Sequence, residues 1–296
     1  MNNEIIYHYT DMNACMSILE NQELWLTAHP YMNDEHEFLH GFELIESTLS
    51  NELQKTDNEE VKAFVAVFMQ LVSESLMFST SFSKEGDLLS QWRSYCPKEG
   101  GISIGFDRAI LEKSYSGYSS KSNRVKLVDC CYDDDHSKEI ANTFSIVLSN
   151  TAPNGYAREN PILDRDQIPS TYLGIIGHLA RTKNPSFQEE KEVRLYTYGN
   201  MDNVPFIIDG VPKPNDSGYL QMPITVVHQN VVEFRSRNGV LVPYITQSFP
   251  IEAIKEIRLA PSKYQDLNVD SLKMYLKSKK LHRIKIVASN IPYRTF

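Results

Sequence analysis

The stretch FQEEKEVRLY at residues 187–196 passes from a run of charges into an alternation of polar and apolar residues. In an extended strand, residues two apart share a face. Glu190, Glu192 and Arg194 would then line one face, with Val193 and Leu195 turned the other way into a core. The pattern leaves two outcomes open. A half-exposed strand with a surface ion pair would produce it at little energetic consequence, since exposed pairs contribute about 0–1 kcal/mol. A carboxylate pair fixed on a rigid strand at the floor of a cleft would produce it equally well.

Downstream of this strand, VPFII (204–208), MPITVVH (222–228), VVEFRSR (231–237) and VLVPYI (240–245) predict further strands. The C-terminal part predicts strand, helix, strand: KEIRLAPS (255–262), a helix to Lys279, then HRIKIVAS (282–289). Upstream, 171–180 is helical, and 151–169, with Pro153, Gly155, Pro161 and Pro169, reads as a loop. A strand over 124–132 precedes a helix from about Ser137 to Leu148. In the first half, a strand over 4–9 leads to a short helix that Asp11 caps, with Met12, Met16 and Leu19 at helical spacing. LWLT (24–27) is a strand. Asn33 and Asp34 open a long helix whose apolar stripe is Phe38, Phe42 and Ile45. A second helix runs through Val61, Phe64, Phe68 and Leu71, followed by the hydroxyl-rich strand LMFSTSF (76–82). Asp87 caps a helix carrying Leu88, Trp92 and Tyr95, and Gly100-Gly101 ends it before the strand ISIGF (102–106). Without repeats or a clear linker, these elements predict one α+β domain over residues 1–296. The helices cluster in its first half, and the strands of its second half are mostly antiparallel.

The net charge of -8 argues against a uniformly basic face that wraps nucleic acid. Cys15, Cys96, Cys130 and Cys131 form no C-x-x-C motif, and the adjacent pair cannot make an ordinary disulfide. MNNEIIYHYT lacks the basic and apolar regions of a signal peptide, and no stretch approaches the roughly 20 apolar residues that span a bilayer. The expectation is a cytoplasmic protein with reduced thiols and no membrane partner.

Several constellations carry chemical potential. HEFLH (36–40) spells the H-E-x-x-H of zinc hydrolases, with His36 and His40 as ligands and Glu37 as base. It falls in the first turn behind Asn33 and Asp34 and lacks a downstream G-x-x-H, so the alternative is two surface histidines flanking a buried Phe38–Phe42 stripe. In YHYT (7–10), a histidine late on a strand and a following hydroxyl suit hydrogen bonding to a sugar or an amide. An exposed strand face would need no such role. FSTSFS (78–83) presents hydroxyls on a strand, with Gln91, Trp92 and Tyr95 on one side of the next helix. Aromatics beside hydroxyls suit a flat polar ring, although core packing accounts for Trp92 and Tyr95 too.

The order of these motifs resembles the ADP-ribosyltransferase superfamily. YHYT is similar to the Tyr-His-x-Thr of its diphtheria-toxin-like branch. Ser79-Thr80-Ser81 and Glu190-x-Glu192 are similar to the Ser-Thr-Ser and E-x-E of its arginine-first branch. The chain also resembles, over nearly its whole length, a large bacterial family catalogued as a domain of unknown function and grouped with that superfamily. The features in common are YHYT, LWLTAHPYMNDEHEF, FSTSFS, LLSQWRSY with GGISIGFD, FQEEKEVRLY and the closing IPYR. In that family His36 and His40 are incidental. The signature here mixes two branches, and no tyrosine stands clearly in the ring-stacking position, which Phe82, Trp92 or Tyr95 would have to fill.

The resemblance implies a split β-sandwich with helices around it, binding NAD as co-substrate without a metal. Glu192 would stabilise the positive charge that builds on the ribose as the nicotinamide bond breaks, and Glu190 would orient the acceptor. His8 and Thr10, with Tyr9 between them, would hold the adenosine ribose and the carboxamide. Ser79 and Ser81 would brace Glu192 or the ribose, and Arg194 would meet either the pyrophosphate or one of the glutamates. The implied activity is mono-ADP-ribosyl transfer, a glycosyltransferase reaction, to RNA, DNA or protein. It would serve an intracellular toxin with a possible cognate antitoxin, or an anti-phage defence effector. Arg235, Arg237, Lys255 and Arg258 would either meet a nucleic-acid backbone or form ordinary solvated surface. The alternative is a non-catalytic sensor that binds NAD or a nucleotide.

Overall fold

The computed structural model describes residues 4–32, 37–55, 57–73, 76–97, 100–115, 125–156, 167–199, 213–214, 220–221 and 232–292. Its first strands and helices are β1 (Ile5–Thr10), α1 (Met12–Asn21), β2 (Glu23–Ala28), α2 (Glu37–Leu53), α3 (Glu59–Ser73), β3 (Leu76–Ser83) and α4 (Leu89–Tyr95). There follow β4 (Ile102–Asp107), α5 (Arg108–Tyr115), β5 (Lys126–Asp129), α6 (Asp134–Tyr156), α7 (Gln167–Arg181) and β6 (Glu192–Gly199). The remainder are β7 (Lys213–Pro214), β8 (Leu220–Gln221), β9 (Glu233–Arg237), β10 (Val240–Ser248), β11 (Ile254–Leu259), α8 (Gln265–Ser278) and β12 (Lys285–Ala288). The fold is mixed α and β, around a ten-stranded, mostly antiparallel sheet in which β11 and β12 run parallel.

The sheet forks at β3. A strand has two hydrogen-bonding edges, and β6 takes the whole of one, from Leu76↔Gly199 to Ser83↔Glu192. The other edge is shared. Phe78 and Ser79 pair with β2, and Ser83 pairs with Tyr7 of β1. From the stem β5–β6–β3, one arm continues as β1–β4–β11–β12 and the other as β2–β10–β9. Between the two arms lie Thr80, Ser81 and Phe82, where β3 has no strand on that edge among the described residues.

The stem separates two cores. Phe78, Phe82, Val193 and Leu195 point into one, with Ile6, Leu24, Leu26, Ile104, Phe106 and residues of α1, α5 and α8. Met77 and Tyr196 point into the other, built from α2, α3, α6 and α7. A third, small cluster joins Tyr7 and Tyr9 of β1 to Trp92 and Ala260.

Most expected elements form, with three informative differences. Residues 151–156 continue α6 to Tyr156 through Pro153 and Gly155, and α7 already begins at Gln167, with Pro169 in its first turn, where a missing N–H costs nothing. The strand expected over 124–132 is confined to β5, because Asp133 accepts from the amides of Asp135 and His136 and opens α6. Asp87 does not cap α4: its carboxylate takes Trp92 Nε1 at 2.8 Å and Ser289 Oγ at 2.7 Å, and Leu88 holds the cap position without a side-chain bond. The strands expected over 204–208 and 222–228, the cap at Asn33 and Asp34, and His36 lie outside the described residues.

The loop after β3 depends on close approach. A Cβ on Gly86 would fall 2.4 Å from Cε1 of the Tyr7 ring, which cannot yield like a flexible chain, because its hydroxyl donates to Glu256 at 3.0 Å. Replacing Gly86 with Ala is therefore expected to cost about 1–3 kcal/mol through overpacking, measured by urea denaturation. An unchanged midpoint would mean that the loop moves freely off β1.

Candidate active site

Glu192 opens β6 and is 3% exposed. Its backbone amide donates to the Tyr132 hydroxyl at 2.8 Å, which anchors the strand end. Oε1 accepts from Ser81 Oγ at 2.6 Å and from Arg194 Nε at 2.9 Å. Oε2 accepts from Arg194 Nη2 at 3.0 Å and from the Lys183 ammonium. A carboxylate offers about four lone-pair sites, so Glu192 is saturated. Burial pushes its carboxyl up, but Arg194 and Lys183 outweigh burial and hold it far below the usual carboxylate range.

Arg194 shares the Glu192 face, as strand alternation requires, and is completely enclosed. Its Nη1 donates to Ala180 O at 3.0 Å, at the C-terminal end of α7, where a cation also meets the negative end of the helix dipole. Between ion pair and ligand contact, the geometry gives Arg194 the ion pair with Glu192.

Glu190 does not lie on the strand. Residues Pro185–Glu190 form a 3-10 helix opened by Asn184, and Lys191 then takes a left-handed conformation with φ of 44° before β6 begins. Ser83 Oγ donates to Glu190 O, and Lys84 N to Lys191 O, so the turn is pinned to the end of β3. The carboxylate of Glu190 nevertheless returns to the site. Its Oε2 is 2.5 Å from Lys183 Nζ, and its Oε1 accepts from the Tyr95 hydroxyl at 3.2 Å.

Ser81 is the hub of the fork. Its hydroxyl serves Glu192, while its carbonyl lies 3.0 Å from His8 Nδ1. A carbonyl only accepts, so His8 carries its proton on Nδ1 and keeps the Nε2 lone pair for another donor. Burial pushes the His8 pKa down, against the Ser81 carbonyl, so the ring is neutral at physiological pH. His8 packs edge-on to Phe82 on the opposite face of the sheet from Glu192, and Ser81 contacts both His8 and Glu192.

Five other expected site residues make their contacts elsewhere. Ser79 donates to Met32 Sδ at 3.1 Å and does not brace Glu192. Tyr9 and Trp92 stack edge-to-face at 4.7 Å. The Tyr9 hydroxyl donates to Glu85 O and accepts from Leu88 N, so both rings tie α4 and its loop to β1. Phe82 is buried in the core against Phe106. Thr10 ends β1, and its carbonyl accepts from Cys96 Sγ at 3.3 Å. Tyr95 alone among the proposed ring partners stands near the glutamates and is substantially exposed.

Lys183 and His29 join the site without having been expected. Lys183 follows α7, and its backbone amide donates to Cys131 O, which sets the side chain beneath the Phe187 ring, 5.2 Å from the centroid. His29 lies in the short 3-10 turn after β2. Burial, then Arg194, pushes its pKa down to about 3, with Glu192 opposing. The only trace of either in the sequence is a lone Lys and the His of LWLTAHPY.

The expected basic strip is not assembled. Arg235 sits on β9 over the rings of Trp25 and Tyr244 and donates to Thr27. Lys255 pairs with Asp107 and Arg258 with Glu256, both on the other arm of the sheet. In HEFLH, His40 Nε2 is 3.0 Å from Asp134 Oδ1. A concavity of about 460 Å³, lined by Lys273, Leu276, Lys277, His282, Ile284 and Ile286, lies between α8 and β12 and contains no residue of the fork.

A family described as protein of unknown function (DUF2971) matches residues 91–195, about a third of the chain. The matched stretch runs from α4 into β6 and includes Tyr95, Lys183, Glu190, Glu192 and Arg194, but neither His8 nor Ser81. No curated protein and no solved structure matches the chain.

Two outcomes test this geometry. Arg194→Met removes two of the four donors to the buried Glu192 and is expected to cost about 3–5 kcal/mol in denaturant unfolding, against under 1 kcal/mol for a surface pair. The second concerns His29, whose lowered pKa means that the unfolded chain binds a proton the fold refuses between about pH 6.5 and about pH 3. Stability is therefore complete above that window and falls as the pH drops through it, by up to about 1.4 kcal/mol per unit. His29→Gln should lose less stability than the wild type between pH 7 and pH 4, read from urea midpoints. Equal losses would remove His29 from the acid response.

Proposed function

We propose that the protein is an NAD-dependent mono-ADP-ribosyltransferase acting on a macromolecular acceptor. The observation that carries this reading is Ser81, where the second motif meets both of the others. Its hydroxyl is on Glu192 and its carbonyl on His8, in the gap between two diverging arms of the sheet. A forked sheet in which one serine contacts both a histidine and a glutamate, on opposite faces, supports the reading of a split β-sandwich with NAD bound at the fork.

The side chains there suit the chemistry. Glu192 is held ionised on a strand end, where it would stabilise positive charge developing on the ribose. One such preorganised contact contributes about 3 kcal/mol. The free Nε2 of neutral His8 accepts from a hydroxyl or a carboxamide. Tyr95 and Phe187, both partly exposed, flank Glu190 and Lys183 and offer flat apolar surface for a ring. Because the four acceptor sites of Glu192 are filled, a ribose hydroxyl must replace one donor. Lys183 is the one with a second carboxylate, Glu190, to keep it. The acceptor would be RNA, DNA or protein, and a role as a toxin or defence effector inside the cell follows from the resemblance of the motifs.

That same saturation favours a second reading, a sensor that binds NAD or a nucleotide without transfer. Nicotinamide release separates the two. The transferase should liberate nicotinamide from labelled NAD with cell extract, and Glu192→Gln should cut the rate about 100-fold or more. Binding of NAD by calorimetry without nicotinamide release supports the sensor. Undiminished release by Glu192→Gln would remove Glu192 from the chemistry.

A further inference from the structure

Both glutamates of the site converge on one ammonium. Lys183, 5% exposed, pairs with Glu190 at 2.5 Å and with Glu192. Its place is fixed by the backbone: Cys131 N donates to Arg181 O, and Lys183 N donates to Cys131 O. The two carboxylates come from different elements, one ending a 3-10 helix and one starting β6, with the left-handed Lys191 between them. The charged groups at the site are Arg194 on β6, Lys183 after α7 and Glu190 from the 3-10 helix. His29 faces it from the turn after β2, Tyr132 from the connection after β5, and Tyr95 from α4, through Glu190. Among the described residues two anions and two cations balance, and the contacts of Arg194 with this pair go to Glu192.

We infer that Lys183 is the positioning residue of this site, its ammonium clamping the Glu190 carboxylate to that of Glu192 across the turn. Two carboxylates sharing a site without a cation take up a proton between them, and the pair titrates as a unit. A protonated glutamate no longer stabilises developing positive charge, so the clamp sets the pH range of the reaction proposed above. That consequence rests on the transferase reading, whereas the clamp itself is a property of the protein without any substrate.

The test is a carbon-13 NMR titration of the glutamate carboxyl groups, with Glu192→Gln identifying the signal. In Lys183→Met, a carboxyl of the pair should titrate at least about one pH unit above the wild type. Lys183→Arg, which keeps the charge, should stay near the wild type. The double variant Lys183→Met/Glu190→Gln restores the balance and should return Glu192 to its wild-type titration. If Lys183→Met alone does not fold while the double variant does, the same imbalance has been read through stability. Identical titrations for wild type and Lys183→Met, or a double variant that behaves like Lys183→Met or also fails to fold, would overturn the clamp. Nicotinamide release across pH is the separate arm. The activity of Lys183→Met should fall on the acid side at the pH where its carboxyl titrates, and activity that keeps the wild-type profile while the carboxyl titration moves would overturn the link to the reaction. A wild type with the expected NMR behaviour and no nicotinamide release would defeat the transferase and leave the clamp standing.

Discussion

The structure depends on keeping a guanidinium neutralised in its interior. Arg194 is the largest fully enclosed side chain described, and Glu192 supplies its counter-charge from two residues away on the same strand face. Taking such a pair out of water costs several kcal/mol per ion, offset only when every donor and acceptor is matched. Here the matching recruits the end of α7 through Ala180, the hydroxyl of Ser81 and the ammonium of Lys183. The pair therefore fixes where α7 stops, which way β6 faces and how close the 3-10 helix lies to the sheet. Burial of this kind does little for stability relative to an apolar core of the same volume. It does make a unique geometry far cheaper than any alternative that leaves one of the four charges unmatched.

The fork has a similar logic. A sheet strand that shared its whole edge with one neighbour would have no room for a side chain to approach its backbone. By ending β2 pairing at Ser79 and resuming with β1 at Ser83, the chain leaves the Ser81 carbonyl to an imidazole instead of an amide. One tautomer of His8 follows from that single acceptor. His8 of one arm and Glu192 of the stem, on opposite faces of the sheet, are thereby joined through the single residue Ser81.

Alternation over Glu192–Leu195 was readable from the residues alone, because a period of two leaves few ways to bury Val193 and Leu195. The strands around FSTSFS and YHYT were readable for the same reason. Glu190 falls outside the strand because nothing in a Lys191 announces a left-handed turn, which is pinned by Ser83 Oγ donating to Glu190 O and Lys84 N donating to Lys191 O. Lys183 and His29 were invisible because their significance is long-range: each is an ordinary residue until α7 and β2 bring it beside Glu192. Tyr9 and Trp92 looked like ligand-binding aromatics, but their polar atoms find partners within the fold, at Glu85, Leu88 and Asp87. The continuation of α6 through Pro153 shows the limit of turn signals, since composition cannot say whether a helix already under way will stop.

The order of the strands also bears on how the chain comes to be assembled. β1 lies between β3 and β4, but β2, which follows it almost at once, is bordered by β10 at Val240–Ser248. During synthesis the stem and the first strands of one arm can form as soon as β6 emerges, while the outer edge of β2 waits for most of the chain. Such an edge offers an open row of amides and carbonyls to any other extended segment. The outer edge of β4 waits longer still, for β11 at Ile254–Leu259, so a nascent chain needs protection on both arms, including the edge where Trp25 will later stack on Tyr244.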